Sequence, residues 1–445
     1  MKKILIVGAK KSGVYAALLA KKMGFDPFVT EIDNGDEFEE YKALLSKNGV
    51  KSEFGMHSLD KIKDFDMVVV SPGVPNNSKI MKEIKNNSIR CIGEMEFAFE
   101  LARDVKIIAI TGTNGKSTTT ALTGNIFRYS HYNTVTGGNL GTPYSALLLN
   151  NPHPDVAILE TSSSQLETIE SFHPKVSVFL NFSEDHLDRY KNMDEYLKYK
   201  KRIFENQTSQ DFALLNFDDP VVKNIKNIKS KVFYFSRKNL VERGTFLKKG
   251  KIIFRDGEDE IIAGVESIHL IGAHNIDNVL ASVTAAKLFN IDNETIKKGI
   301  ETFEGLPHRL EKVRNLNGVL YINDSKATTP DSTIKALNAF ENKIVLIAGG
   351  SSKNNDFTEM ARLFSSKLRK LILIGDTANE IAEAAMEQGF QDIAYAKNLS
   401  EAVRMAKEVA HFGDVVLLSP ACASFDMFEN FEDRGDQFKK IVKNL

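Results

Sequence analysis

Residues 109–120, AITGTNGKSTTT, constrain the fold more than any other part of the chain. An apolar run over 106–110 leads into Gly112 and Gly115, then Lys116, Ser117 and Thr118, and a helix-forming run follows. Strand, glycine turn and helix in that order turn backbone N–H groups toward a phosphate at a helix N-terminus, where the peptide dipoles favour negative charge. Gly112, Thr113, Asn114 and Gly115 are the expected cradle. Lys116 adds a positive charge near the terminal phosphates, and Ser117 or Thr118 can ligate Mg²⁺. The usual first glycine of such a loop, five places before Gly115, is here Ile110.

A loop of this type needs a parallel sheet around it, and the rest of the chain supplies the pattern. At 445 residues the chain exceeds one ordinary core, and domain-size priors give about three units. In the first block, strands are expected at 3–8, 27–30 and 67–70 and a helix at 12–23, a βαβ rhythm. The second block has strands at 106–110, 155–160 and 176–181 and helices at 194–206 and 274–289. Its segment 246–254, with Lys249-Gly250 at the turn, reads as a hairpin, so that sheet is mixed. The third block, with strands at 318–323, 344–348, 371–374 and 415–418, reads as another doubly wound unit.

Lys and Arg (58) nearly balance Asp and Glu (59), so no overall field draws the chain to nucleic acid or an acidic membrane. Two cysteines, Cys91 and Cys422, cannot make a disulfide framework and suit a reducing compartment. No apolar run has the length of a signal-peptide core or a membrane span, which predicts a cytoplasmic protein without membrane insertion; a monomer is expected.

Three further positions attract attention on pattern alone. Glu160 ends an apolar strand and precedes TSSSQ, so it can hold a metal, directly or through water, or cap the next helix. His186 follows another strand between Asp185 and Asp188. Asn275 and Asn278 are three apart on a helix and share a face. Lys200, in YKKRIFEN, reads by itself as a solvated lysine on a charged helix.

GTNGKST, GGNLG (137–141), ETSSSQLE (160–167), DHLD (185–188), GAHNIDN (272–278) and GLPHR (305–309) occur in the order seen in the Mur ligases, and nearly the whole chain resembles that family. The resemblance implies an α/β protein of three domains. These are an N-terminal Rossmann-like domain for a UDP-sugar (1–98), a central phosphate-loop ATPase with a mixed sheet (99–304), and a C-terminal Rossmann-like domain for an amino acid (305–445). In the last block YINDSKATTPD (321–331) and SPACASFDMFENFEDRGDQF look like the member that adds D-glutamate to UDP-N-acetylmuramoyl-L-alanine. It also implies ATP, two Mg²⁺ ions, and a reaction through an acyl phosphate in peptidoglycan precursor synthesis, with domain closure keeping water from that intermediate.

Residue by residue, the resemblance assigns Lys116 to the ATP phosphates and Ser117 and Glu160 to one Mg²⁺. His186 and a carbamate on Lys200 go to the second Mg²⁺. The lysine match rests on KKRIFE, where Lys201 is adjacent, and the spacing to Arg202-Ile203 selects Lys200. Asn275 and Asn278 are assigned to the adenine, Arg309 and Asp324 to ATP, and His308 to the phosphate or substrate. Lys326, Thr328, Lys353, Ser424 and Phe431 go to D-glutamate; Ser12, Thr30, Asn139, Ser162 and Gln165 go to the UDP-sugar. Two departures stand out. Lys10 replaces the second glycine of the first-domain turn (GAKKSG), and GGSSK (349–353) lacks the acid that commonly follows its glycines.

Overall fold

The structure, a computed structural model, describes residues 1–139, 141–186, 189–351 and 355–445. Its elements gather into two compact units, one of Met1–Ile268 with His274–Phe303, the other of His269–Ala273 with Glu304–Leu445.

The first unit holds two sheets. In one, five strands run in the order Lys51–Phe54, Asp26–Glu31, Lys3–Val7, Met67–Val70, Cys91–Gly93, all parallel. Alternation along the first strand explains the layers. Ile4 and Ile6 pack with Ala16, Ala17 and Ala20 of helix Lys11–Lys22, whereas Leu5 and Val7 pack with Val70, Ile80 and Ile84 on the other face. Chain order reverses between Lys3–Val7 and Met67–Val70, which opens a crevice at the carboxyl ends of these strands. Gly8 sits there at φ 97°, with Ser71 Oγ donating to its carbonyl at 3.3 Å.

Helix Glu94–Leu101 leads into the second sheet and carries two buried carboxylates. Glu94 accepts the Ser145 N–H (2.6 Å), and Glu96 accepts the N–H groups of Ser171 (2.7 Å) and Phe172 (2.9 Å). Buried carboxylates need such donors, so these bonds rivet the two sheets' layers together. The boundary expected after residue 98 falls inside this helix.

The second sheet has nine strands, in the order Glu258–Gly264, Lys251–Asp256, Arg243–Lys248, Lys231–Ser236, Phe212–Asn216, Val176–Phe179, Lys106–Thr111, Val156–Glu160, Thr134–Gly138. It is mixed, as expected: Lys251–Asp256 pairs antiparallel with both neighbours. Lys249 (φ 50°) and Gly250 (φ 74°) make the hairpin turn with two positive φ angles. The helix expected over 194–206 is shorter. Met193–Lys201 is α-helical and Arg202–Phe204 a 3₁₀ turn, from which the Arg202 guanidinium donates to the carbonyls of Leu166, Glu167 and Ile169.

The second unit has six strands in the order Glu311–Leu316, Val319–Asn323, Val415–Leu418, Ile344–Ala348, Leu368–Leu373, Ile393–Tyr395. Only the first pair is antiparallel. Beneath the loops at its carboxyl edge lies Arg434, wholly buried. It donates to Ser325 Oγ and to the carbonyls of Ser325, Cys422 and Ala423. Burial pushes this guanidinium down to about 10. Arg434→Met strands three buried carbonyls and is expected to destabilise this unit by about 3 kcal/mol, read as a lower urea midpoint; an unchanged midpoint contradicts the role.

Candidate functional site

The phosphate loop follows strand Lys106–Thr111 and ends on helix Lys116–Arg128. Gly112 (φ 155°) and Gly115 (φ 83°) adopt the positive φ that the turn requires. Asn181, just past strand Val176–Phe179, braces the loop from the side. Its Oδ1 accepts the Asn114 N–H (2.8 Å), its Nδ2 donates to Asn114 O (3.0 Å), and its carbonyl accepts Thr113 N. Lys116 lies across the loop, with Nζ donating to the carbonyls of Gly112 (3.0 Å) and Thr113 (2.9 Å).

A second lysine reaches the same carbonyl. Lys200 is 1% exposed, its Nζ 2.8 Å from Gly112 O and 4.7 Å from the centre of the Tyr196 ring. Helix Met193–Lys201 puts Tyr196 and Lys200 one turn apart, so they share a face. Burial above all, then the charge of Lys116, pushes the Lys200 ammonium down to about 7; Asp185 and Glu160 oppose this. The solvated lysine of the sequence pattern is therefore a buried amine at the loop.

Glu160 ends strand Val156–Glu160 and pairs in register with Ile110, beside the loop. It is 2% exposed and accepts Asn139 Nδ2 at 3.1 Å. Helix Ser163–Leu166 is capped instead by Ser162, which accepts the Gln165 N–H while the Gln165 side chain accepts the Ser162 N–H. Glu160 is thus not a capping carboxylate. Asn139, Ser162 and Gln165, assigned to the UDP-sugar, have side chains engaged in holding Glu160 and this cap. Of the two hydroxyls, Ser117 is half-buried and Thr118 buried, so Ser117 has the access. Among the described residues no three His, Cys, Asp or Glu side chains gather into a metal cluster. A carboxylate and a hydroxyl beside a phosphate loop do fit Mg²⁺, which takes few protein oxygens and keeps water and phosphate ligands.

His186 (φ 55°) is half-exposed, with its ring edge-on to Tyr196 at 5.7 Å. Tyr196 therefore stands between His186 and Lys200. On helix His274–Lys287, Asn278 Nδ2 donates to Asn275 Oδ1 (2.8 Å) and Asn278 Oδ1 accepts from Thr119 (3.1 Å). A Cβ on Gly115 would lie 2.4 Å from that Oδ1, so Asn278 backs the loop directly. In the first sheet's crevice, Thr30 is buried among Glu53, Met56 O and His57, and Ser12 is half-buried on the first helix. Lys10 precedes that helix at φ −82°, a backbone that requires no glycine.

In the second unit, three assigned residues meet. His308 packs edge-on to Phe431 (6.1 Å), and Lys326 Nζ lies 5.2 Å from the same ring. His308 is buried, which with Lys439 holds its imidazole below the ordinary range. Asn323 Nδ2 donates to its Nδ1 and to Glu311, so the ring proton sits on Nε2. Asp324 accepts the Leu310 N–H and the Ser419 hydroxyl, and burial pushes its carboxyl up to about 7. Arg309 is exposed, Thr328 half-buried and Ser424 buried. Lys353 lies outside the described residues.

The pattern alone did not reveal Asn181, Tyr196 or Arg434. Only Tyr196 left a local signal, its spacing of four from Lys200.

The largely parallel sheets and the braced glycine loop define a phosphate-loop α/β protein. Residues 110–286 match the Mur ligase middle domain, and residues 308–422 the Mur ligase, glutamate ligase domain. The chain belongs to the Mur ligase family. Similar relatives include the UDP-N-acetylmuramoylalanine–D-glutamate ligase of Clostridioides difficile (strain 630), 43% identical over 447 residues that cover 100% of this chain and 99% of the relative. The enzyme of that name from Alkaliphilus metalliredigens (strain QYMF) is 40% identical over 448 residues, covering 100% and 98%. In fold, the chain is similar to UDP-N-acetylmuramate-alanine ligase MurC from Thermotoga maritima, at TM-score 0.61 and 20% identity over 100% of both chains. It is also similar to MurF from Acinetobacter baumannii, at TM-score 0.62 and 16% identity over 98% and 93%.

Proposed function

We propose that this chain joins D-glutamate to UDP-N-acetylmuramoyl-L-alanine at the expense of ATP, in peptidoglycan precursor synthesis. The observation that carries the reading is the convergence of Lys116 and Lys200 on the Gly112 carbonyl, beside Glu160. A loop that only held a nucleotide would have no need of a buried, largely desolvated second amine. The substrates follow from the relatives at 43% and 40% identity.

The chain divides by role near 1–98, 99–304 and 305–445, for the UDP-sugar, ATP and amino acid. The L-alanyl carboxylate attacks the γ-phosphorus of ATP and the bond to the β,γ-bridging oxygen breaks, releasing ADP and forming an acyl phosphate. The D-glutamate amine, having lost its ammonium proton, then attacks the acyl carbon. The carbon–oxygen bond to phosphate breaks, and the amide forms with loss of the second amine proton.

Two anions must approach each other in the first step, so positive charge at their meeting point dominates the barrier. Lys116 supplies it from the loop, and the N–H groups of Gly115, Lys116, Ser117 and Thr118 orient the phosphates, those of Thr113 and Asn114 being held by Asn181. Mg²⁺, held by Ser117 and Glu160 and at a second position by His186 and a carbamylated Lys200, would screen the remaining charge between phosphate and carboxylate. Asn275, Asn278, Arg309 and Asp324 orient the nucleotide. His308 offers an Nε2–H to a phosphate or substrate oxygen. Lys326, Thr328, Lys353, Ser424 and Phe431 receive the glutamate carboxylates, where a cation and hydroxyls match a dianion.

The test is phosphate release with ATP, Mg²⁺ and UDP-N-acetylmuramoyl-L-alanine, comparing D-glutamate, L-glutamate and L-alanine. D-Glutamate alone is expected to drive release; none above background with D-glutamate removes the reading. Lys326→Ala is expected to raise the KM for D-glutamate about tenfold or more, the size of a lost charge-assisted hydrogen bond, with the KM for ATP within threefold. Equal rises in both would take Lys326 out of the amino-acid pocket.

A further inference from the structure

Glu167 lies just past the short capped helix that follows Glu160, and none of the roles above uses it. Its side chain is 6% exposed, and its carboxylate is nonetheless fully engaged. Arg189 grips it with two bonds, Nε to Oε1 at 2.7 Å and Nη2 to Oε2 at 2.9 Å. The Tyr190 hydroxyl donates to Oε1 at 2.7 Å, and Asn76 Nδ2 donates to Oε2 at 3.0 Å. Arg189, Tyr190 and Asn76 hold the carboxyl below the ordinary carboxylate range against the opposing effect of burial.

These partners come from two places. Asn76 belongs to the loop after strand Met67–Val70 of the first sheet, and Arg189 Nη1 also donates to Pro72 O in that loop at 3.1 Å. Arg189 and Tyr190 belong to the turn that carries His186. The backbone N–H groups of both donate to the His186 carbonyl, each at 3.0 Å. Tyr190 stacks on Tyr196 at 5.3 Å, and Tyr196 faces the His186 ring and the Lys200 amine. His186 has a positive φ, a conformation that costs a non-glycine residue energy and persists only where its surroundings impose it.

We propose that Glu167 is the positioning residue for His186. It fixes the far end of the His186 turn through Arg189 and Tyr190, and ties that turn to the first sheet's loop through Asn76 and Pro72. The proposal rests on the ligase reading for its kinetic readout only; the geometric readout is independent of it.

The experiment uses Glu167→Gln, which keeps size and removes charge, and Tyr190→Phe, which removes one hydroxyl and so guards against a failure to fold. For Glu167→Gln, kcat is expected to fall roughly 100-fold, the scale of a misplaced catalytic group, with the KM values for ATP and D-glutamate within threefold. Tyr190→Phe is expected to give a smaller fall of the same kind. Separately, the imidazole resonances of the nine histidines are recorded with ¹³C-labelled histidine, His186 being assigned by its loss in His186→Gln. The His186 signal is expected to move in both variants, with those of the second unit's His308 and His411 unmoved. An unmoved His186 signal, or a kcat within threefold of the unsubstituted enzyme in Glu167→Gln, overturns the proposal. Loss of all phosphate release in the unsubstituted enzyme would instead strike the ligase reading, leaving the resonance test standing.

Discussion

Lys116→Ala is expected to lower phosphate release in the complete reaction by roughly 10²–10³-fold, the range found when one preorganised charge-stabilising donor is removed. No nearby group can take its place. Lys200 Nζ is committed to Gly112 O; removing the Lys116 charge relieves one cause that holds its ammonium down, but burial, the larger cause, remains. The fold should survive the substitution. Gly112 O keeps Lys200 as its donor, and Asn181 holds the loop through both its side chain and its backbone. The loss is therefore expected in kcat, with an unfolding midpoint close to that of the unsubstituted chain. A variant that retained more than a tenth of the activity would exclude Lys116 from the charge-stabilising role.

What could be read from the chain beforehand divides along the range of the interactions involved. Gly112, Gly115 and Lys116 were legible because a strand–turn–helix is decided within a dozen residues, by steric and dipolar effects local to the backbone. Most apolar strands at the sheets' centres were legible because burial on both faces makes an unbroken apolar run, but Phe212–Asn216 and Lys231–Ser236, in the middle of the nine-stranded sheet, were not picked out. Lys51–Phe54, all four of its residues at least partly exposed, and Ile393–Tyr395, three residues long, carried no such run and were missed. Asn181 could not be recognised without knowing that strands Lys106–Thr111 and Val176–Phe179 are neighbours, a pairing between residues about 70 apart. Arg434 went unrecognised for a different reason. Arginine is rarely buried, and only the loops after Val319–Asn323 and Val415–Leu418, converging on one point, supply the carbonyls that hold it. Ser162 and Gln165 show the opposite case: Ser-x-x-Gln is itself a capping-box pattern, and the local physics gives their side chains a role that resemblance alone had not.

The Lys200→Ala variant is expected to be inactive, below about 0.1% of the unsubstituted rate, since it removes a buried group at the phosphate loop that is proposed to help hold Mg²⁺. Two effects on folding oppose each other. Truncation loses the packing of the lysine stem, about 0.8 kcal/mol per buried methylene, but it also removes the cost of burying an ammonium. The folded state should persist, and the loss then reports chemistry. The same burial explains why carbamylation is proposed at this lysine and not at Lys201, which is exposed. Carbon dioxide reacts with a neutral amine, R–NH₂ + CO₂ → R–NHCOO⁻ + H⁺, and an amine pushed down to about 7 is substantially neutral where an exposed lysine is almost wholly charged. The product exchanges a cation for an oxygen ligand that a hard metal prefers and keeps an N–H for Gly112 O. Removing dissolved carbon dioxide is accordingly expected to depress the unsubstituted enzyme, and bicarbonate to restore it, while ¹³C-bicarbonate gives one carbamate resonance that Lys200→Ala lacks. Full activity of Lys200→Ala, indifferent to bicarbonate, would dispose of the carbamate and return Lys200 to a purely structural place beneath the loop.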